Sequence, residues 1–231
     1  HDRMQVIKVS RGRKAQLSRD KIVEKALELL NSANPENFSI RRLAQALSVT
    51  PAAIYVYFEG QDDILRLAAE EVASRVDLAR IPPDTDWRHT LKAWAHAVRD
   101  NHRTYPHATL MLRMSQHIPT AWYRVIEPVW QTFELMGCSE KQKVELTQAF
   151  IRGVAGLVMI ELEHDDTINV HSEADLTATL ESASPADREK WSRFLPKLGS
   201  IDIDNLFDQS LSLLLDGIAL RVPSSALYPS H

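Results

Sequence analysis

Three observations predict an all-α fold. Apolar residues recur at helical spacing in nearly every segment. Strand signals are almost absent, with no sustained apolar–polar alternation and no Asn-Gly hairpin turn. N-cap residues, prolines and short breaks punctuate the chain at helical lengths. The 231 residues, 44% hydrophobic and 25% charged, suffice for a sizeable core in one large domain or two smaller ones.

Overall charge hides an asymmetry. Residues 1–61 hold 10 Lys/Arg and 6 Asp/Glu, a net of +4, whereas residues 62–231 carry a net of −8. A basic front on an acidic remainder points to a polyanion-facing module joined to a different kind of body. The one cysteine, Cys138, excludes an intrachain disulfide and fits a reducing compartment, so a cytoplasmic location is expected. The longest apolar stretch, Gly153 to Ile160, is far short of the ~20 residues that span a bilayer. The basic amino terminus lacks the apolar core of a signal peptide. No membrane partner is expected.

The first helix is predicted from about Ser18, a good N-cap, to Ser32, with Ile22, Ala26, Leu29 and Leu30 as its apolar stripe. The second follows Ser39, another N-cap, through Ile40, Leu43, Ala44 and Leu47. After a turn at Ser48-Val49, Thr50 caps the third. Pro51 occupies its first position, where proline costs no hydrogen bond. The fourth starts near Gly60, has Asp62 and Asp63 in its first turn, and is expected to reach Ile81. Pro82-Pro83 then breaks the chain and Asp86 caps the next helix. The body predicts helices at about 86–103, 105–117, 120–136, 139–163, 186–196 and 202–221. The acidic, weakly periodic segment 164–185 reads as a long loop, or a loop holding one short turn of helix.

The second and third helices with their tight turn form a helix-turn-helix. Leu43, Ala44 and Leu47 face Val49, Ile54 and Phe58, and the first helix closes the back. Such a unit presents its third helix to a DNA major groove, which accepts one helix. That helix is unusual: Ala52, Ala53 and Val56 form a second apolar side where a soluble helix normally has a polar one.

From Leu17 to Leu65 the chain resembles the tetracycline-repressor (TetR) family of one-component regulators. The resemblance rests on "IVEKALELL" and "FSIRRLAQALSVTPAAIYVYFEGQDDIL" and covers about a fifth of the chain. Ser39, Arg41, Leu43-Ala44, Ser48-Val49, Ile54-Tyr55, Tyr57-Phe58 and Leu65 fall on the family's pattern. Two positions depart from it. Ser48 replaces the turn glycine, at a modest cost if its φ is positive. Gln61 replaces a lysine that usually meets a phosphate. The helix amino terminus there still favours anions, although Asp62 and Asp63 oppose one.

The resemblance implies a basic arm (1–17), a helix-turn-helix DNA-binding domain (18–61), a connecting helix (62–81) and a ligand-binding and dimerisation domain (82–231). Arg41 is expected at phosphate or guanine, and Arg42 at phosphate or on a solvated face. Thr50 caps its helix and also reaches a phosphate. Tyr55 is expected on the backbone and Tyr57 at the groove edge. Pro51, Ala52 and Ala53 donate no side-chain hydrogen bond; they allow close approach and contact with thymine methyls. Gln61 completes the set. The arm residues Arg11, Arg13, Lys14 and Arg19 either follow DNA or serve as a solubilising tail.

In the body, the helix with "AFIRGVAGLVMIEL", where Gly153 and Gly156 permit close approach, and the last helix, with Ile203, Leu206, Phe207, Leu211, Leu214 and Ile218, suit a homodimeric four-helix interface. A dimer would read a palindromic operator in double-stranded DNA. Trp94, His107, Met111, Met114, Trp122, Trp130 and Phe150 are candidate contacts for a small apolar or aromatic effector, or ordinary core. His102, His107 and His117 lack tight metal-ligand spacing, so no metal and no cofactor is expected. No enzyme is expected either, since G-x-S-x-G, H-E-x-x-H, P-loop and C-x-x-C motifs are missing. The expected function is a transcriptional repressor released from DNA by its effector. The alternatives are an activator or a protein-responsive regulator of the same fold and, less favoured, an all-helical enzyme.

Overall fold

The computed structural model describes residues 17–32, 38–81, 86–107, 119–163, 173–193, 197 and 202–223. Every regular element among them is helical. None of these helices is long and apolar enough to cross a membrane. The described chain divides into two compact units, one up to Ala69 and one from Glu70 onward.

The first unit holds α1 (Arg19–Ser32), α2 (Ile40–Ala46) and α3 (Pro51–Tyr55). Helical spacing brings Ile22, Ala26 and Leu30 of α1 onto one buried stripe, against which Leu43, Ala44, Ile54 and Phe58 are also buried. The side chain of Ser39 accepts from the amide of Arg42 at 3.3 Å, and that of Thr50 from the amide of Ala53 at 3.3 Å. Both caps therefore form as the sequence predicts, each worth roughly 1 kcal/mol. Ser48 adopts φ 56°, so the turn keeps its left-handed residue without glycine. The third helix is shorter than its apolar pattern suggests. It ends at Tyr55, and a turn in which the Tyr57 and Phe58 amides both bond the Ile54 carbonyl returns Phe58 to the core.

α4 (Gln61–Ser74) begins in the first unit and ends in the second. It stops well before Ile81. The Ser74 hydroxyl bonds the Glu71 carbonyl, and the Arg75 and Val76 amides turn back three residues, to Val72 and Ala73. The last carbonyls are thus satisfied early, and a separate 3₁₀ turn spans Leu78–Arg80.

The second unit contains α5 (Trp87–Thr104), α6 (Thr120–Leu135), α7 (Glu140–Glu163), α8 (Glu173–Ser182), α9 (Pro185–Trp191) and α10 (Ile203–Ala219). Its core is built by Leu91 and Trp94 of α5, Val129 and Phe133 of α6, Phe150 and Val154 of α7, and Leu211 and Leu215 of α10. Polar contacts join α5 to α10 in reverse order: Arg88 pairs with Asp216 at 2.8 Å, His96 Nε2 lies 2.9 Å from Asp208, and Arg99 pairs with Asp204 at 2.7 Å. The two helices are therefore antiparallel. Gly153 allows α7 to meet α10 closely, because a Cβ there would lie 2.7 Å from Leu214 Cδ2. Gly156 faces open space.

Two expectations for the body need correction. Residues 105–107 form a turn rather than the start of a helix, and 108–117 lie outside the described residues. The segment expected to be a loop contains α8. The Arg188 guanidinium donates to the carbonyls of Leu180 and Glu181 at 3.0 and 2.7 Å, neutralising the negative end of α8. Ser184 starts α9 one residue earlier than expected by accepting from the Asp187 amide.

Candidate nucleic-acid interface

α2 and α3 each present an exposed face, as does the outer side of α1. Arg41, Arg42 and Gln45 are exposed on α2, and Thr50, Pro51, Ala52, Tyr55 and Val56 on or beside α3. Val56 is 79% exposed and Tyr55 55%, while Ile54, between Ala53 and Tyr55, is fully buried. Ala53 is half-buried, so the open side of α3 is made by Ala52, Tyr55 and Val56 rather than by both alanines. No charged side chain stands on this helix. Its open surface is small, apolar and edged by one phenol, a shape that can enter a groove closely but can donate few hydrogen bonds.

Tyr57 is placed differently from Tyr55. It is half-buried, and its hydroxyl donates to the Leu17 carbonyl at 2.8 Å. The phenol's one proton is thereby used inside the protein, so the groove-edge contact expected of Tyr57 falls to its ring edge and the lone pairs of its oxygen. Tyr57 also ties the entry of α1 to the end of α3. Arg19 works beside it: its guanidinium lies 4.8 Å from the Phe58 ring centroid and 3.8 Å from Asp63. Arg66 also pairs with Asp63 at 2.7 Å. One of the two acids that would repel a phosphate at the start of α4 is thus partly neutralised. Gln61 is half-buried at that start.

Among the described residues, the candidate effector contacts fall in separate places rather than in one set. Trp94 and Phe150 meet at 5.5 Å between ring centroids, both fully buried. The Trp94 indole donates to the Val125 carbonyl at 2.6 Å, so it is a satisfied core residue with no donor left. Trp130 lies under the Lys143 ammonium at 4.9 Å, and that ammonium also pairs with Glu140 at 2.6 Å and Glu134 at 3.2 Å. These contacts make Trp130 part of a staple across the α6–α7 corner. Trp122 packs partly buried against the core, and His107 is half-buried. Met111 and Met114 lie outside the described residues. A cleft of about 240 Å³ beside α5 is lined by other residues, among them Arg75, Arg80, Asp100, Asn101 and Tyr105. Its lining is polar and charged and does not match an apolar effector.

The sequence did not reveal the network that joins α5, α7 and α10. Arg99, only 4% exposed, donates from Nε to Glu161 at 2.7 Å and lies 4.2 Å from the Phe207 ring centroid. Arg103 pairs with Glu161 and, at 2.8 Å, with Asp204. Burial alone would raise the Glu161 pKa, but the two guanidiniums outweigh it and hold the carboxyl below its ordinary range. Nearby His102 is 7% exposed. Burial lowers its pKa to about 4; Glu161 opposes that shift and His107 adds to it. Only the helical spacing of 99, 102 and 103 hinted at a shared location.

Comparison with known proteins agrees with this architecture. A family model for bacterial regulatory proteins of the tetR family matches residues 22–68. One for the tetracyclin repressor-like C-terminal domain matches residues 81–222. The HTH-type transcriptional repressor DrrR1 of Streptomyces coeruleorubidus is 29% identical over 110 residues, 48% of this chain and 40% of that protein. The class C tetracycline repressor protein of Escherichia coli is 36% identical over 84 residues, 36% of this chain and 38% of that protein. The chain therefore spans about two fifths of the length of these curated relatives. A Streptomyces coelicolor structure described as a possible TetR family transcriptional regulator superposes with a TM-score of 0.74 at 25% identity, covering 88% of this chain and 99% of that one. The S. coelicolor TetR family protein ActR in complex with actinorhodin shares the fold, with a TM-score of 0.74 at 18% identity over 91% and 99% of the two chains. With one family model on the helix-turn-helix and another on more than half of its length, the chain belongs to the TetR family of bacterial regulatory proteins.

Proposed function

We propose that this protein is a sequence-specific DNA-binding transcriptional repressor, released from its operator by a small apolar or aromatic effector. The observation that carries the DNA reading is the uncharged open side of α3, fixed in place by the Thr50 cap and the buried Ile54 and Phe58. Arg41 and Arg42 supply charge from α2, with Tyr55 and the Thr50 hydroxyl at the phosphate backbone. Ala52 and Val56 face thymine methyls. The positive balance of residues 1–61 supports a strongly salt-dependent affinity.

A homodimer is part of this reading, because one helix-turn-helix reads only a half-site. Leu206, Leu213 and Leu220 of the last helical segment recur every seventh residue and are exposed, while Phe207, Leu211, Leu215 and Ile218 face the core. Met159 and Ile160 are exposed on α7. These surfaces suit a four-helix interface between two copies. The effector reading is supported by the aromatic interior of the second unit and by relatives of this fold solved with actinorhodin and minocycline. Release would follow from effector-dependent placement of α4, which belongs to both units.

Selection of bound duplexes from random DNA tests the proposal. The expected product is a palindrome whose half-sites lie about 34–36 Å, one helical turn, apart. A pool that shows no enrichment would overturn it.

A further inference from the structure

α6 begins without a side-chain cap of its own. Pro119 holds the N-cap position, and its ring offers no acceptor. The first amides of a helix find no partner within it. The Trp122 amide turns back to the Pro119 carbonyl at 3.1 Å. The Ala121 amide needs another acceptor, and at 1% exposure Ala121 is closed to solvent. Its partner comes from 51 residues away: Glu70 Oε1 accepts that amide at 2.8 Å. The carboxylate also meets the positive end of the helix dipole.

Glu70 stands on α4, at the first position of the second unit. Its neighbours Ala69, Val72 and Ala73 are buried, but apolar contact is non-directional and does not by itself fix a helix's rotation. A hydrogen bond to a sealed amide is directional. Arg75, next after α4, donates to the Tyr105 hydroxyl at 2.6 Å and ties the same end of the chain to the end of α5.

We infer that Glu70 is the positioning residue that sets the separation of the two recognition helices: by capping α6 it fixes the direction in which α4 leaves the second unit. The inference rests on the repressor and dimer reading given above. Its magnitude follows from α4 itself. From Glu70 back to Gln61 the helix is about 14 Å long, at about 1.5 Å per residue. A tilt of about 10° pivoting at Glu70 moves the far end by about 2.4 Å. In two copies related by a two-fold axis the separation changes by up to about 5 Å, more than the roughly 3.4 Å of one base-pair step. Glu70 thus governs operator spacing rather than base choice.

Operators of altered spacing test the inference. The selected palindrome is lengthened and shortened by one central base pair. The affinity of the full chain for the three duplexes is measured for wild type, Glu70→Ala, Glu70→Gln and the double variant Glu70→Ala with Pro119→Ser. Wild type should lose about tenfold or more on either change of spacing. Glu70→Ala should lose less than about threefold, because its α4 is no longer tied to α6. Glu70→Gln, whose side-chain oxygen still accepts from an amide, should keep most of the wild-type preference. Glu70→Ala should also melt lower, since it leaves the Ala121 amide unpaired. The serine of the double variant gives α6 its own cap, so it should restore the melting temperature and not the spacing preference. If Glu70→Ala alone fails to fold, the double variant carries the comparison. Equal affinity of wild type for all three spacings, a wild-type preference in Glu70→Ala, or a preference regained in the double variant overturns the inference while leaving the repressor reading in place. If wild type selects no palindrome, that reading fails and the Glu70 assignment fails with it.

Discussion

Tyr55 and Tyr57 stand two residues apart and have different roles. Tyr55 presents its ring to the outside, while Tyr57 spends its proton on the Leu17 carbonyl. Tyr57→Phe should therefore destabilise the protein by about 1 kcal/mol, read by thermal melting, and leave operator affinity within about twofold. Unchanged stability with a large loss of affinity would return Tyr57 to the DNA surface. Ser48 makes the opposite kind of prediction. At φ 56° it occupies backbone that glycine enters without penalty, so Ser48→Gly should stabilise by roughly 0.5–1 kcal/mol. Both residues were visible in the sequence as pattern positions. The Ser48 geometry followed from its place in the turn. The Tyr57 bond did not, because its partner is a backbone carbonyl 40 residues away.

Among the helices, those whose ends carry capping side chains were the most legible. Ser39, Thr50, Asp86 and Asp202 all accept amide hydrogen bonds at the starts they mark. The end of α4 was less legible because no glycine or proline stands at Ser74. α8 escaped notice for a different reason. The described side chains of 177–182 are exposed or half-exposed, so no apolar stripe announces the helix. Part of its support comes instead from Arg188 on the next helix, which caps its carbonyls. α10 shows both the reach and the limit of pattern reading. Its apolar residues divide into a core side and an exposed side that together look like one broad stripe. Leu213, 73% exposed, is the test of the exposed side. Leu213→Glu should convert a dimer to a monomer in sedimentation at low micromolar concentration while leaving the melting temperature of the monomeric fold nearly unchanged. A variant that sediments as wild type would remove α10 from the interface.

At the scale of the molecule, His102 and Glu161 predict the acid sensitivity of the fold. The unfolded imidazole binds its proton near 6.5, whereas the folded one does so only near 4. The unfolded chain is protonated first, so stability is full above pH 6.5 and falls as pH drops toward 4. The difference amounts to about 3 kcal/mol. Glu161, whose folded pKa is depressed, adds a further loss of the same sign as pH falls below its unfolded value. Urea melts between pH 7 and pH 4 should show the His102 component in wild type and not in His102→Leu. The charge asymmetry between the front and the remainder was legible from composition. The Arg99–Glu161–Asp204 network was not, because its members lie 62 and 105 residues apart and no local pattern joins them. DNA recognition by this protein turns on what α3 does with a surface that has no charge to offer. The most direct measurement is the affinity of the protein for its selected duplex with the half-site thymines replaced by deoxyuridine, which deletes only methyl groups. Contact of Ala52 and Val56 with thymine methyls predicts a loss of about tenfold or more; an affinity equal to that of the thymine duplex would contradict it.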